Sequence, residues 1–263
     1  MTMPRVPLLA ATLLALSACA GDAPTSDRST SRSMLRVGDH MLDSGELSTA
    51  ETFYRGAAER DPTDPEPRLR LANLRARQGD PDAAMRAYME AVAADPGNAE
   101  ARKAAAGLLL RRGDRASAGV ALDLLAPIAG SSGRDARTPR LQGVALDLLG
   151  RQAEAAEAYR RGLAVNPNDP ALRANLALSL AVAGQADAAM EEAGRAMAAP
   201  GSGPAQRGTL VLVLAIAGRD ADAQREAALL PPGEADAVLA KGRSAARQTD
   251  PAGRAAALGI SRG

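Results

Sequence analysis

Residues 65–98 have the sequence PEPRLRLANLRARQGDPDAAMRAYMEAVAADPGN, and the Asp-Pro pair near the end of this stretch recurs at a fixed distance along the chain. The Asp-Pro pair at 61–62 returns at 95–96, so the two prolines lie 34 residues apart. Ala84, Tyr88 and Ala91 have the spacing of one helical face. Gly79 has the placement of a residue that ends a helix, and Pro96 stops the next one. The stretch therefore predicts two packed helices separated by a glycine turn.

The same frame recurs along most of the chain. We predict repeats at 31–64, 65–98, 99–135, 136–169, 170–203 and 204–231, a capping helix at 234–248 and a tail at 249–263. The pattern of Gly, Ala, aromatic and Pro resembles the tetratricopeptide-repeat (TPR) family. That resemblance implies an all-α, right-handed superhelical solenoid of about six helix pairs over residues 34–248. Neighbouring repeats must then supply each other's core.

The first 33 residues have the layout of an export signal rather than of a folded element. One arginine precedes an apolar run from Val6 to Leu16, which is too short to span a bilayer. Leu16-Ser17-Ala18-Cys19 resembles the bacterial lipobox, and Cys19 is the only cysteine. We predict a signal peptide at 1–18, lipid attachment at Cys19 and a flexible tether over 19–33. Ala20 favours an outer-membrane lipoprotein that faces the periplasm.

Composition and motifs argue against nucleic-acid binding and catalysis. Removal of residues 1–18 leaves 31 basic and 31 acidic side chains, and aromatic residues make up 2% of the chain. Nucleic-acid binders usually show a basic excess and stacking aromatics. The only histidine, His40, lies among acids that fit an exposed polar face. We expect no enzyme activity, no cofactor and no metal site.

The TPR resemblance also predicts a groove, lined by positions 2, 5, 9, 12 and 13 of each first helix. Repeats five and six place apolar residues there: Leu178, Ala181, Val182, Leu212, Ala215 and Ile216. Repeats one to four place mostly polar residues there: Arg32, Asp39, Asp43, Glu66, Asn73, Arg77, Glu100, Lys103, Arg111, Arg137, Arg140 and Asp147. An exposed apolar groove marks a partner site or is covered by the protein's own chain. Both alternatives stay open, the second with residues 234–260 folded back.

Residues 204–219, PAQRGTLVLVLAIAGR, are similar to the last repeat of the TadD lipoproteins of Flp (tight-adherence) pilus assembly. The resemblance implies a pilotin-like adaptor that binds other proteins, with a secretin or another pilus subunit as partner. A general envelope scaffold that recruits peptidoglycan or outer-membrane assembly factors needs the same anchor and the same groove. It is the alternative function.

Overall fold

The computed structural model describes residues 23–130 and 134–260. Within these ranges the chain forms fourteen α-helices and one short 3-10 helix, with no β-strand. The predicted all-helical architecture is thereby confirmed. The chain divides into two compact units, one ending at Pro62 and one beginning at Thr63.

One helix pair forms the described part of the first unit. Helix α1 spans Ala23–Asp43, and helix α2 spans Leu47–Arg60. The ring of Tyr54 on α2 is fully buried and lies against the backbone of Gly38. A Cβ at Gly38 would come within 2.5 Å of that ring. The glycine therefore gives the aromatic side chain its place between the two helices.

Helix α1 begins earlier than the sequence pattern predicted. Residues 23–33 are helical, so the prediction of a flexible tether over 19–33 is wrong for this part. Ser31 is 0% exposed, and its hydroxyl donates to the carbonyl oxygen of Ala57 at 3.1 Å. Ser and Thr are weak helix formers in isolation, so packing against α2 decides the outcome. Cys19 and the predicted signal peptide lie outside the described residues.

The second unit contains five helix pairs followed by two further helices. The first helices of the pairs are α3 Glu66–Arg77, α5 Ala99–Leu110, α7 Arg137–Leu148, α9 Pro170–Val182 and α11 Pro204–Ile216. The second helices are α4 Pro81–Ala94, α6 Arg115–Leu125, α8 Gln152–Val165, α10 Ala186–Ala198 and α12 Asp220–Ala227. The 3-10 helix, Ala126–Ile128, follows α6. Residues 131–133, in the long turn of the third repeat, lie outside the described residues.

The turn inside each pair is built in the same way. A glycine with φ between 72° and 84° follows the first helix, a backbone region that side chains with a Cβ rarely adopt. Acids after two of these glycines cap the second helix. Asp80 accepts a hydrogen bond from the Ala83 N–H at 2.9 Å, and Asp114 accepts one from the Ser117 N–H at 2.8 Å. The turns thus fix where each second helix starts.

Small side chains let the helices of the second unit pack closely. Four alanines at one position of the second helices have no exposed surface: Ala84, Ala155, Ala189 and Ala223. Tyr88 and Tyr159 follow four residues later on the same helical face and are buried beside them. Each second helix also contacts the first helix of the next pair, from α4 with α5 to α10 with α11. Neighbouring pairs therefore share their core, as a repeat fold requires.

The chain ends in two helices rather than one. Helix α13 spans Ala235–Ala246, at the position predicted for the capping helix. Helix α14, Pro251–Leu258, occupies most of the segment that we predicted as a tail, so that prediction is wrong for these residues. Asp250 caps α14 by accepting from the Gly253 N–H at 2.8 Å. Residues 261–263 lie outside the described residues.

Candidate protein-binding groove

Four first helices of the second unit lie side by side. Helix α5 contacts α7, α7 contacts α9, and α9 contacts α11. Their inward-turned positions are those at which the sequence predicted a binding groove. We call the part formed by α3, α5 and α7 the open groove, and the part formed by α9 and α11 the closed groove. The two parts differ in whether the chain's own C-terminal helices cover them.

The closed groove is filled by the chain's own C-terminal helices. Val182 is 2% exposed, and it packs with Ala245 of α13 and with Ala255 and Leu258 of α14. Leu178, Leu212 and Ile216 contact the same cluster. Ala181 and Ala215 are buried as well. Of the two alternatives, the structure favours the folded-back C-terminal segment over an open partner site at α9 and α11. Leu178, Leu212 and Ile216 remain half-buried, and Leu178 also lines the depression described below.

Close packing and polar contacts hold this C-terminal segment in place. Gly242 of α13 lies so near α11 that a Cβ there would stand 2.6 Å from the Cβ of Ala215. On α14, the Nε of Arg254 donates to the carbonyl oxygen of Val182 at 2.7 Å. That carbonyl belongs to the last residue of α9, where the helix leaves its acceptors without internal partners. Burial of the apolar residues removes from water a surface that would otherwise be exposed.

Lys103 also differs from its predicted role. We expected it to face a partner, but it is 6% exposed. Its ammonium group lies 2.6 Å from an oxygen of Glu100 and 3.2 Å from an oxygen of Asp135. Burial opposes ionisation of Asp135, yet hydrogen bonds from the Thr138 hydroxyl, the Arg137 N–H and Lys103 hold its pKa below the usual value. Lys103 joins α5 to the start of α7 and has no free charge for a ligand.

Tyrosines of the second helices bind polar residues of the groove. The hydroxyl of Tyr88 donates to the side-chain oxygen of Asn73 at 2.7 Å. Burial raises the pKa of Tyr88, while the positive charges of Arg111 and Arg137 act in the opposite direction. Asn73 is exposed, so one side of its amide faces the groove and the other side is fixed from below. The tyrosine thus orients a groove residue from within the core.

Asp147 is the carboxyl group that lies deepest in the groove. It accepts a hydrogen bond from the Tyr159 hydroxyl at 2.8 Å and another from the Ser179 hydroxyl at 2.7 Å. Burial raises the pKa of Asp147 to about 6, although both hydrogen bonds favour the charged form. Burial and the neighbouring carboxylate raise the pKa of Tyr159 well above its ordinary value. The cluster links α7, α8 and α9.

Three arginines leave the open groove with free positive charge. Arg77 and Arg111 are exposed, and Arg140 is half-buried. Arg140 lies near enough to Tyr159 for its charge to act on that hydroxyl. These three residues stand where the sequence predicted them, at the groove ends of α3 and α5 and in the first turn of α7.

An apolar depression lies at the border with the closed groove. Its apolar lining comes from α5, α7, α9 and the C-terminal segment: Leu110, Val144, Leu148, Leu178 and Ile260. Tyr159, Asp147, Asn175 and Gly259 complete it. The repeat pattern alone did not predict this feature. Leu110 and Val144 occupy groove positions 12 and 9, so the repeat register could have predicted that they face the groove. Nothing local in the sequence predicts that Ile260 lies there.

Other kinds of site find little support among the described residues. No group of three or more His, Cys, Asp or Glu side chains lies close enough to hold a metal ion. His40 is exposed on α1. None of the described helices is long and apolar enough to cross a membrane.

A family model described as tetratricopeptide repeat matches residues 68–199, about half of the chain. This chain belongs to the TPR family. A second model with the same description matches residues 41–88. TPR folds are typically non-catalytic modules through which proteins bind other proteins or peptides. The general expectation of a protein-binding module is thereby supported.

Several solved structures share the fold of this TPR protein at low identity. PilF of Pseudomonas aeruginosa is 18% identical, with a TM-score of 0.65 over 77% of this chain and 91% of its own. A TPR protein from Parabacteroides merdae is 16% identical, with a TM-score of 0.67 over 82% and 85%. YrrB, described as a TPR protein with an unusual peptide-binding site, is 19% identical, with a TM-score of 0.53 over 70% and 91%. No curated protein matches the sequence.

Proposed function

We propose that this TPR protein is an adaptor that binds a segment of a partner protein in its open groove. The main support for this proposal is that one part of the groove is covered by the chain and the other part is accessible. The C-terminal helices cover the groove side of α9 and α11. In contrast, Arg77, Arg111 and Arg140 remain accessible on the part formed by α3, α5 and α7. A groove that is closed at one end by its own chain offers a partner a defined site at the other.

We further propose that Cys19 carries a lipid that anchors the adaptor to the outer membrane. The proposal is supported by Leu16-Ser17-Ala18-Cys19 and by the short apolar run before it. Two or more acyl chains hold a protein stably on a membrane, whereas one holds it only marginally. Cys19→Ser should release the protein from the membrane fraction and leave its helical content unchanged. Unaltered fractionation would contradict the anchor.

The partner that we propose is a secretin or another subunit of a Flp-type pilus assembly apparatus. The support is the similarity of residues 204–219 to the TadD family. In the structure this segment forms α11, whose groove side lies under α13. Residues 204–219 therefore pack against the C-terminal helices, and we propose that the partner binds in the open groove instead.

Co-purification from membranes tests this proposal. The intact lipoprotein, with a C-terminal tag, is crosslinked briefly, solubilised gently and recovered with its partners. The double variant Arg111→Glu and Arg140→Glu reverses two charges of the open groove. Its matched control reverses two exposed arginines of the second helix α8, Arg151 at its N-cap and Arg160 within it, with Arg151→Glu and Arg160→Glu.

Each outcome assigns the function differently. Recovery of a secretin that is reduced by the groove variant and retained by the control supports the pilus role. Recovery of cell-wall or outer-membrane assembly factors, with the same dependence, shows the general envelope scaffold instead. Equal recovery by both variants would contradict binding in the open groove.

A further inference from the structure

Arginines elsewhere in the second unit commonly pair with acids. Three such ion pairs are Arg112 with Asp82 at 3.3 Å, Arg173 with Glu192 at 2.8 Å and Arg243 with Asp220 at 3.0 Å. In contrast, Arg77, Arg111 and Arg140 form no ion pair with any described residue. The open groove therefore carries three positive charges that no described acid pairs with, as some arginines of the second helices, such as Arg160, also do.

The acids on the same face do not balance this charge, because each already has partners. The carboxylate of Asp147 is half-buried and accepts from two hydroxyls. The remaining acids are in ion pairs with cations other than these three arginines: Glu66 with Arg70, Glu100 with Lys103 and Arg137, and Asp135 with Lys103. A ligand that enters the open groove meets the free guanidinium groups first.

The apolar depression stands within the same surface. Arg111 directly follows Leu110, which lines the depression, and Arg140 lies one turn before Val144, which also lines it. Leu110 and Leu148 form a largely buried floor. Cationic groups thus flank a site that accepts a hydrophobic side chain.

We infer that the open groove binds an acidic segment of the partner, with one large apolar side chain in the depression and flanking carboxylates on Arg77, Arg111 and Arg140. This inference rests on the proposed function and names the chemistry of its ligand. Guanidinium groups bind carboxylates through paired, charge-assisted hydrogen bonds. An apolar side chain in the depression fixes the register that charge alone leaves open.

Fluorescence anisotropy with defined peptides tests the inference on the purified protein. The probe is a fluorescein-labelled peptide of twelve residues that carries Asp and Glu on both sides of a central Leu. One matched peptide replaces every acid by its amide, and another replaces the Leu by Ser. The protein variant is Arg111→Gln with Arg140→Gln, and the control is Arg151→Gln with Arg160→Gln on α8.

We expect the acidic probe to bind, and its affinity to fall as salt is raised. The amide peptide and the groove variant should each weaken binding by about tenfold or more, a common effect of losing charge-assisted contacts. The Ser peptide should bind several-fold more weakly, and the α8 control should match the parent protein.

Equal binding of the acidic and amide peptides would overturn the inference, as would no binding of the probe at millimolar protein. The proposed function fails separately. If the acidic probe does not bind while Arg111→Glu with Arg140→Glu still reduces partner recovery from membranes, the groove is the partner site but its ligand is not acidic.

Discussion

Gly242→Ala should destabilise the C-terminal cap, because α13 approaches α11 most closely at this residue. The new Cβ would stand 2.6 Å from the Cβ of Ala215 and 3.4 Å from the carbonyl oxygen of Leu212. Overpacking of this kind costs about 1–3 kcal/mol. Alanine gains about 1 kcal/mol over glycine inside a helix. The net loss in the free energy of unfolding, measured by urea denaturation, should therefore reach up to about 2 kcal/mol.

Gly208→Ala is the matched control on α11. Nothing lies within 4 Å of a Cβ at this position, so only the helix propensity changes. The control should stabilise the protein by up to about 1 kcal/mol. The two substitutions are chemically identical, and opposite signs are therefore the expected result. Equal stabilisation by both would refute the close packing of α13 on α11, and with it the account of the closed groove.

Three further predictions concern single side chains of the second unit. Lys103→Met should cost about 1–2 kcal/mol, because Asp135 loses a charge-assisted hydrogen bond. The exposed control Arg77→Met should change stability by about 0.5 kcal/mol or less, and equal effects in chemical denaturation would contradict the buried role. The raised pKa of Asp147 means that the folded state binds this proton more tightly, so the stability from this group is present below pH 3.8 and is lost as the pH rises through about 6. Asp147→Asn should remove that part of the pH dependence, up to about 3 kcal/mol, and identical denaturation profiles would argue against it. Leu212→Glu should make α13 and α14 more accessible to proteolysis by placing a charge under the cap, and an unchanged cleavage pattern would argue against the filled groove.

The helix pairs could be predicted from sequence because their signals are local. Gly79, Ala84 and Tyr88 fix a turn, a close helix contact and a packed ring within ten residues, and the same signals recur at the repeat distance. The C-terminal helix α14 has no comparable pattern. Its place depends on contacts such as Arg254 with Val182, which are 72 residues apart in the chain. Such a contact cannot be derived from a repeat motif.

For the groove residues, too, local sequence signals predict position, whereas contacts distant in sequence decide burial. The repeat register assigned Arg111 and Arg140 to groove positions, and both are accessible in the structure, but the register carries no information about burial. Lys103 is buried because Asp135, 32 residues later and in the irregular third repeat, reaches its ammonium group. Val182 and its neighbours are buried because a segment outside the repeats covers them. The register therefore predicts where a side chain lies along the groove, and tertiary packing decides whether a partner can reach it.

Photo-crosslinking in intact membranes tests the central claim, that the open groove is where partners bind. A photo-reactive amino acid replaces Arg77 in one strain and Val120 in another, since both residues are exposed and Val120 lies on the second helix α6. If partners bind in the open groove, position 77 should give a crosslinked partner and position 120 should give none. Crosslinking from position 120 with none from position 77 would contradict it.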